Sequence, residues 1–318
     1  MKKKKVLITS YPFCVINKEP LKKLKKYFEV INPAEKKKEK LTKEEIKQHI
    51  KNVWGIIAGT EKYDKEIFDE AKELKIISRL GIGLDNIDFK ETKKRGITVC
   101  YTPEAQKQAV AELTLGFIIN SIRKINIADY YIKKKEWQRI IGKDLENLKV
   151  GIIGLGRIGK IVAMFLKNLK CEVYANDIKP DFEFAKENKI TLCSKKKIYK
   201  IADVITLHIP LSKLTENLIT KKELLMMKKD GVLINTARGK IVNEKDLYEH
   251  LKKNKNFTAC LDVFENEPYY GNLIELPNVI LTAHMGSCSV KSRYLMEMGA
   301  VNNLIEFLKN GNPILAPI

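Results

Sequence analysis

Residues 150–177 read VGIIGLGRIGKIVAMFLKNLKCEVYAND, and this stretch decides the fold. An apolar run, Val150 to Ile153, meets the series Gly154-x-Gly156-x-x-Gly159. Gly154 permits a tight turn from strand to helix. Gly156 lets the backbone approach a pyrophosphate, and Gly159 lets helix and strand pack closely. The pyrophosphate would sit on the free N–H groups at the helix start. Ile158, Ile161, Val162, Phe165, Leu166 and Leu169 recur at helical spacing and mark one buried face. Cys171 to Ala175 reads as the next strand, and Asp177 follows it. About 20 residues past such glycines, a carboxylate accepts from both hydroxyls of an adenosine ribose. A lone GxGxxG is a weak signal. In this setting it predicts a dinucleotide-binding βαβ unit. Asp177 favours NAD, because a carboxylate repels a 2′-phosphate, although Lys179 nearby weakens that repulsion.

The same alternation extends in both directions. Upstream, Val6–Thr9, Phe28–Ile31, Val53–Ala58, Ile76–Leu80 and Ile97–Tyr101 read as strands. Leu21–Tyr27, Lys43–Lys51, Lys65–Leu74 and Asp88–Arg95 read as the helices among them. A long apolar helix is expected over Pro103–Lys124. Downstream, Val204–Leu207, Val232–Asn235, Thr258–Val263 and Val279–Thr282 read as buried parallel strands, before a final helix over Ser289–Leu308. The pattern predicts an α/β protein with two doubly wound parallel sheets. Ligands of such sheets bind outside the carboxyl ends of the strands, so a substrate is expected in a cleft between the two units.

Composition narrows the function classes. The chain has 318 residues and 44% hydrophobic content, enough for two packed domains. It lacks an 18-residue apolar run, so neither a transmembrane helix nor membrane association is expected. The start, MKKKKVLITSYPF, fits a first strand better than a signal peptide, because Thr9 and Ser10 break the apolar run. Six cysteines without CxxC spacing suggest reduced thiols in a cytoplasmic protein. Four histidines without ligand spacing argue against a metal site. The net charge of +20 comes from lysines scattered along the chain rather than from a basic arm with aromatics, so no nucleic-acid partner is expected. A positive field favours anionic substrates and cofactor.

Several polar residues fall where strands end: Gly81-Ile82-Gly83, Arg238, Asp262, Glu267 and His284. Arg238 follows VLINTA, and its guanidinium suits bidentate capture of a carboxylate or a polarised carbonyl. A surface arginine capping a strand is the plainer alternative. His284 ends VILTA, where an imidazole can give a proton to a carbonyl that receives hydride. A satisfied core histidine is its alternative. Glu267, in DVFENEP, can hydrogen-bond that imidazole or simply lie in a loop before Pro268.

Seven motifs in order carry a resemblance. They are GLDNID (83–88), VAEL (110–113), VGIIGLGRIGK (150–160), HIPLSKLTENLI (208–219), INTARGKIVNEKDL (234–247), CLDVFENEP (260–268) and AHMGS (283–287). Together they resemble the D-isomer-specific 2-hydroxyacid dehydrogenases over nearly the whole chain, and most of all the phosphoglycerate dehydrogenase type without its C-terminal regulatory extension. The resemblance implies a Rossmann NAD-binding domain, residues 102–290, inserted into a flavodoxin-like substrate domain of residues 1–101 and 291–318. It implies a homodimer, with the helix from Pro103 offering the surface. It implies Arg238, Glu267 and His284 as catalytic residues, and Ile82, Gly83 and Arg238 for the substrate, to which Arg79 is added as a candidate. For the cofactor it implies Gly154, Gly156, Arg157, Ile158, Gly159, Asp177, His208, Thr236, Ala237, Asp262 and Gly286. The implied reaction interconverts a D-2-hydroxy acid and its 2-keto acid with NAD. One departure bears on the substrate. Phosphoglycerate enzymes typically carry an arginine near the end of the third strand, where this chain has Gly59, so Arg79, Arg139 or Lys62 would have to hold a phosphate. Ala283 stands where a proline is common, a harmless change. Hydroxypyruvate or glyoxylate reduction is the alternative activity. An NAD(H)-sensing, corepressor-like interaction protein is the alternative from another class.

Overall fold

The computed structural model describes residues 3–314. It divides into two compact units, one of residues 107–286 and the other of the chain up to Gln106 together with the chain from Ser287 onward. These breaks fall a few residues inside the 101/102 and 290/291 boundaries expected from the sequence.

The discontinuous unit is built on five parallel strands: β1 (Lys5–Ile8), β2 (Glu29–Ile31), β3 (Gly55–Ala58), β4 (Ile76–Arg79) and β5 (Thr98–Cys100). Their order is β2-β1-β3-β4-β5, the flavodoxin-like winding, with the switch point between β1 and β3. β3 and β4 are buried at every position, so they read as continuous apolar runs rather than as alternation. The long helix Val290–Asn310 returns to cover this sheet through Met296, Ala300, Val301 and Leu304. Its ends obey local rules. The Ser289 side chain accepts the Ser292 N–H, and Gly311 takes a left-handed φ of 72°.

The continuous unit carries seven parallel strands: β6 (Lys149–Ile153), β7 (Glu172–Asn176), β8 (Thr191–Leu192), β9 (Val204–Leu207), β10 (Val232–Asn235), β11 (Thr258–Leu261) and β12 (Val279–Leu281). The order β12-β11-β10-β9-β6-β7-β8 is the Rossmann winding with one strand added, and it reverses between β6 and β9. The helix Arg157–Asn168 buries Gly159, Val162, Ala163 and Leu166 on the core. A fully buried Val or Leu contributes about 1.5–3 kcal/mol. Ile158, Ile161 and Phe165 flank that face, while Leu169 at the frayed end is 36% exposed.

Three elements differ from the sequence reading. β8, a two-residue edge strand, was not expected from so short a run. The long helix spans Lys107–Arg123, not Pro103 onward. Thr102 explains the later start: its N–H donates to the Gly81 carbonyl and its hydroxyl accepts the Gly81 N–H, tying the preceding segment to the loop after β4. Most of that helix's apolar residues face inward, while Leu113, Leu115 and Ile119 are half-buried. Ala109, Val110, Ala111, Phe117, Ile118 and Ile122 are buried within the chain. The next helix, Ile125–Lys133, buries none of its residues.

Candidate active site

The glycine turn after β6 behaves as its spacing demands. Gly154 has φ of 99°, and a Cβ there would lie 2.4 Å from the His208 carbonyl oxygen. A Cβ on Gly159 would lie 2.0 Å from the Gly154 oxygen, so only glycine permits this approach of helix to strand. At Gly156, by contrast, a Cβ would meet nothing within 4 Å. Space is therefore open where the backbone would face a pyrophosphate, and no side chain caps the helix that begins at Arg157. Arg157 is exposed on the first turn, and Ile158 packs against the core. Asp177 lies just beyond β7, with Oδ2 accepting the Leu155 N–H at 2.7 Å and Oδ1 accepting the Lys179 N–H at 2.8 Å. The carboxylate is thus fixed beside the turn. These residues fit an adenine dinucleotide with a free ribose 2′-hydroxyl.

Further along the same sheet edge, His208 follows β9 with Nε2 at 2.9 Å from the Thr206 hydroxyl. Burial pushes its pKa down to about 3, so the ring is neutral at physiological pH. Thr236 follows β10, and its hydroxyl lies 3.1 Å from that of Thr114 on the long helix. Asn235 folds the next turn by accepting the Ala237 N–H and donating to the Arg238 carbonyl. Arg238 is half-buried, with one guanidinium nitrogen donating to the Ala237 carbonyl at 2.7 Å. A Cβ on Gly239 would lie 1.9 Å from the Phe264 carbonyl carbon, so this loop and the one after β11 touch backbone to backbone.

The loop after β11 carries Glu267, whose Oε1 accepts the Phe264 N–H at 3.2 Å. Its Oε2 lies 2.8 Å from His284 Nδ1, with both side chains about one-third exposed, at 34% and 27%. His284 sits in a left-handed backbone conformation, φ 49°, rare for a residue with a Cβ. Its N–H donates to the Asp262 carbonyl. Asp262 organises the whole turn. Oδ1 accepts from the Thr282 hydroxyl and the Met285 N–H, and Oδ2 accepts the Gly286 N–H. Burial raises the Asp262 pKa, and these hydrogen bonds oppose the rise. Asp262 and Gly286 were read as cofactor neighbours. The geometry gives Asp262 a prior task, holding the histidine loop.

In the other unit, Gly81, Ile82 and Gly83 follow β4. Gly81 has φ of 135°. Arg79 is 8% exposed and donates through Nε to the Gly83 carbonyl at 2.9 Å and through a terminal nitrogen to the Leu80 carbonyl. It braces the loop expected to receive a substrate. With its amide oriented to satisfy both neighbours, Gln106 donates to the Thr102 carbonyl and accepts the Ile82 N–H at 2.8 Å. Among the described residues no cluster of His, Cys, Asp or Glu is disposed to hold a metal ion. The sequence reading missed Gln106 and also a buried polar group after β3: Thr9, Glu61 and Tyr63. Nothing in their spacing announced it.

A Rossmann edge that bears a dinucleotide turn, an arginine loop and a His–Glu pair defines a nicotinamide-dependent oxidoreductase. The comparisons agree. Residues 115–286 match the model of the D-isomer specific 2-hydroxyacid dehydrogenase NAD binding domain, more than half of the chain. The chain is 38% identical to a Thermococcus litoralis glyoxylate reductase over 266 residues, 80% of each protein. It is 38% identical over 259 residues, 80% of its length, to a Methanocaldococcus jannaschii D-3-phosphoglycerate dehydrogenase, spanning only about half (49%) of that relative. The crystal structure of the TT0316 protein from Thermus thermophilus superposes with a TM-score of 0.87 at 30% identity, covering 99% of this chain and 100% of that one. The chain belongs to the D-isomer-specific 2-hydroxyacid dehydrogenase family, and NAD is its cofactor.

Proposed function

We propose that the protein interconverts a short D-2-hydroxy acid and its 2-keto acid, with the members of the Arg238, Glu267 and His284 constellation in the roles expected of them. The observation that carries this reading is the 2.8 Å contact of His284 Nδ1 with Glu267, on the strand edge that carries the glycine turn. With Nδ1–H donated to the carboxylate, Nε2 is left to hold the transferable proton. Bound NAD(H) supplies or removes the hydride at the substrate C2. His284 delivers the proton to the developing alkoxide and takes it back in the reverse direction. Arg238 lies on the loop that touches the Glu267 loop, and it stabilises the same oxygen and the adjacent carboxylate. The Ile82–Gly83 loop, braced by Arg79, is the candidate receiver of that carboxylate.

Relatives named both glyoxylate reductase and D-3-phosphoglycerate dehydrogenase bracket the substrate. The test is a panel of glyoxylate, pyruvate, hydroxypyruvate and 3-phosphohydroxypyruvate with NADH, followed at 340 nm. We expect turnover of at least one acid. Turnover of none would overturn the enzymatic reading in favour of nucleotide sensing.

The same reading makes the protein a homodimer. Ile125, Tyr130, Ile132, Trp137 and Ile141 are 51–92% exposed within a short stretch, more apolar surface than a lone chain ordinarily leaves in water. Light scattering should give about twice the 36.5 kDa chain mass, and Trp137→Glu with Ile141→Glu should return it to one chain. A single-chain mass for the unaltered protein would remove the dimer. The reading also places the protein in the cytoplasm, in keeping with the buried cysteines Cys14, Cys100, Cys171 and Cys260, which form no disulfide.

A further inference from the structure

The loop after β3 holds a carboxylate where the chain could have placed none. Glu61 is 8% exposed. Its Oε2 accepts the Gly59 N–H at 2.9 Å and the Thr9 hydroxyl at 3.0 Å, and the Tyr63 hydroxyl reaches it at 3.4 Å. Thr9 and Tyr63 are fully buried and lie 2.7 Å apart through their hydroxyls. All three bonds fall on one oxygen. No hydrogen bond or ion pair reaches Oε1 among the described residues.

This carboxylate stands beside the loop assigned to the substrate. β3 and β4 are neighbours, so their carboxyl-end loops are adjacent. Asn86, three residues beyond Gly83, donates to the carbonyls of both Gly59 and Glu61. The Tyr63 N–H donates in turn to the Asn86 carbonyl. Of the cations nearby, Arg79 donates to the carbonyls of its own loop and acts electrostatically on Tyr63, and Lys62, 80% exposed at its side chain, pairs with Asp64. A Cβ at residue 59 would lie 2.8 and 2.9 Å from the two oxygens, so a side chain there would require the Glu61 carboxylate to swing away from the place it holds. Gly59 thus leaves room for Glu61 to hold this orientation. The glycine and the carboxylate form one device.

We propose that Glu61 is a specificity-determining residue. Its carboxylate, held by Gly59, Thr9 and Tyr63, bars a second negative charge from the substrate side arm. The site then takes 2-keto acids with one carboxylate and a small uncharged remainder, and it rejects phosphorylated ones by like-charge repulsion. This rests on the enzymatic reading above and names the substrate class of that site.

Hydroxypyruvate and 3-phosphohydroxypyruvate differ by the phosphate alone, so their ratio of kcat/KM isolates the effect. The unaltered enzyme should favour the neutral side arm by about 100-fold or more. Glu61→Gln keeps the shape and the acceptor oxygen but loses the charge, and it should narrow the ratio by about tenfold, through KM for the phosphorylated acid. Glu61→Asp keeps the charge and should keep the rejection. A role confined to stability would move both variants together. Equal use of the two acids by the unaltered enzyme overturns the proposal without any variant, as does an unchanged ratio in folded Glu61→Gln. An enzyme that turns over no 2-keto acid instead removes the underlying reading, and this one with it.

Discussion

The two sheets end in different kinds of edge. In the seven-stranded sheet, ionisable side chains gather at the strand ends: Asp177 after β7, Arg238 after β10, Glu267 after β11 and His284 after β12. In the five-stranded sheet the edge is largely backbone. The Gly81–Gly83 loop is braced by Arg79, and the Glu61 carboxylate beside it is buried against hydroxyls. Groups that must change protonation or carry a cofactor need mobile protons and access. Groups that must only measure a substrate need rigidity. On the proposed reading the two demands are separated by sheet, so chemistry and selectivity should respond to different substitutions.

That separation breaks most visibly at His284. His284→Ala should lower turnover by about 100- to 10,000-fold, the usual worth of a general acid–base group, while NADH affinity by fluorescence titration changes little. Turnover near the unaltered level would reject the assignment. A large loss of NADH affinity would show that the edge acts as one block and not as separable parts.

Asp177 tests the cofactor end of the same edge. Asp177→Ala removes the acceptor for the ribose hydroxyl and the repulsion of a 2′-phosphate. The NADH:NADPH ratio of kcat/KM should fall by about 100-fold, equivalent to nearly 3 kcal/mol. An unaltered protein that already uses NADPH as well as NADH would remove the role given to Asp177.

A smaller effect concerns stability. His208 has a folded pKa of about 3 against 6.5 when unfolded, because burial disfavours the imidazolium. Its contribution is complete above pH 6.5 and is lost progressively as the pH falls toward 3, since only the unfolded chain takes up the proton. At pH 5 the loss is at most about 2 kcal/mol. His250, also depressed by burial, adds a loss of the same sign. His208→Gln should therefore narrow the gap in Tm between pH 7.5 and pH 5. An unchanged gap would mean that the ring is protonated in the folded protein.

The seven-stranded edge was legible because its residues sit close in sequence to the strands that present them. VLINTAR and VILTAH announce a buried run and its terminal side chain together, and the glycines carry their spacing with them. The five-stranded edge was not legible in this way. Thr9 meets Glu61 and Tyr63 across 52 and 54 residues, through the pairing of β1 with β3, and no local pattern encodes that meeting. Gly59 stands out as a missing arginine, but the carboxylate packed against it lies two residues on and reads as an ordinary loop acid. The long helix shows a related limit. Its apolar residues identify it as a helix that buries a face, but periodicity does not say whether the covering surface belongs to the same chain.

Gly239 has a consequence for how such a site can be inherited. Where two backbones meet with no side chain between them, their separation cannot be adjusted by rotamers or by trading one residue for another of similar size. The spacing of the arginine and glutamate loops is then a fixed gauge. On the proposed reading the loops after β1, β3 and β4 can vary, and with them the acids accepted, without altering that separation. A lineage built this way should diversify in diet before it diversifies in chemistry.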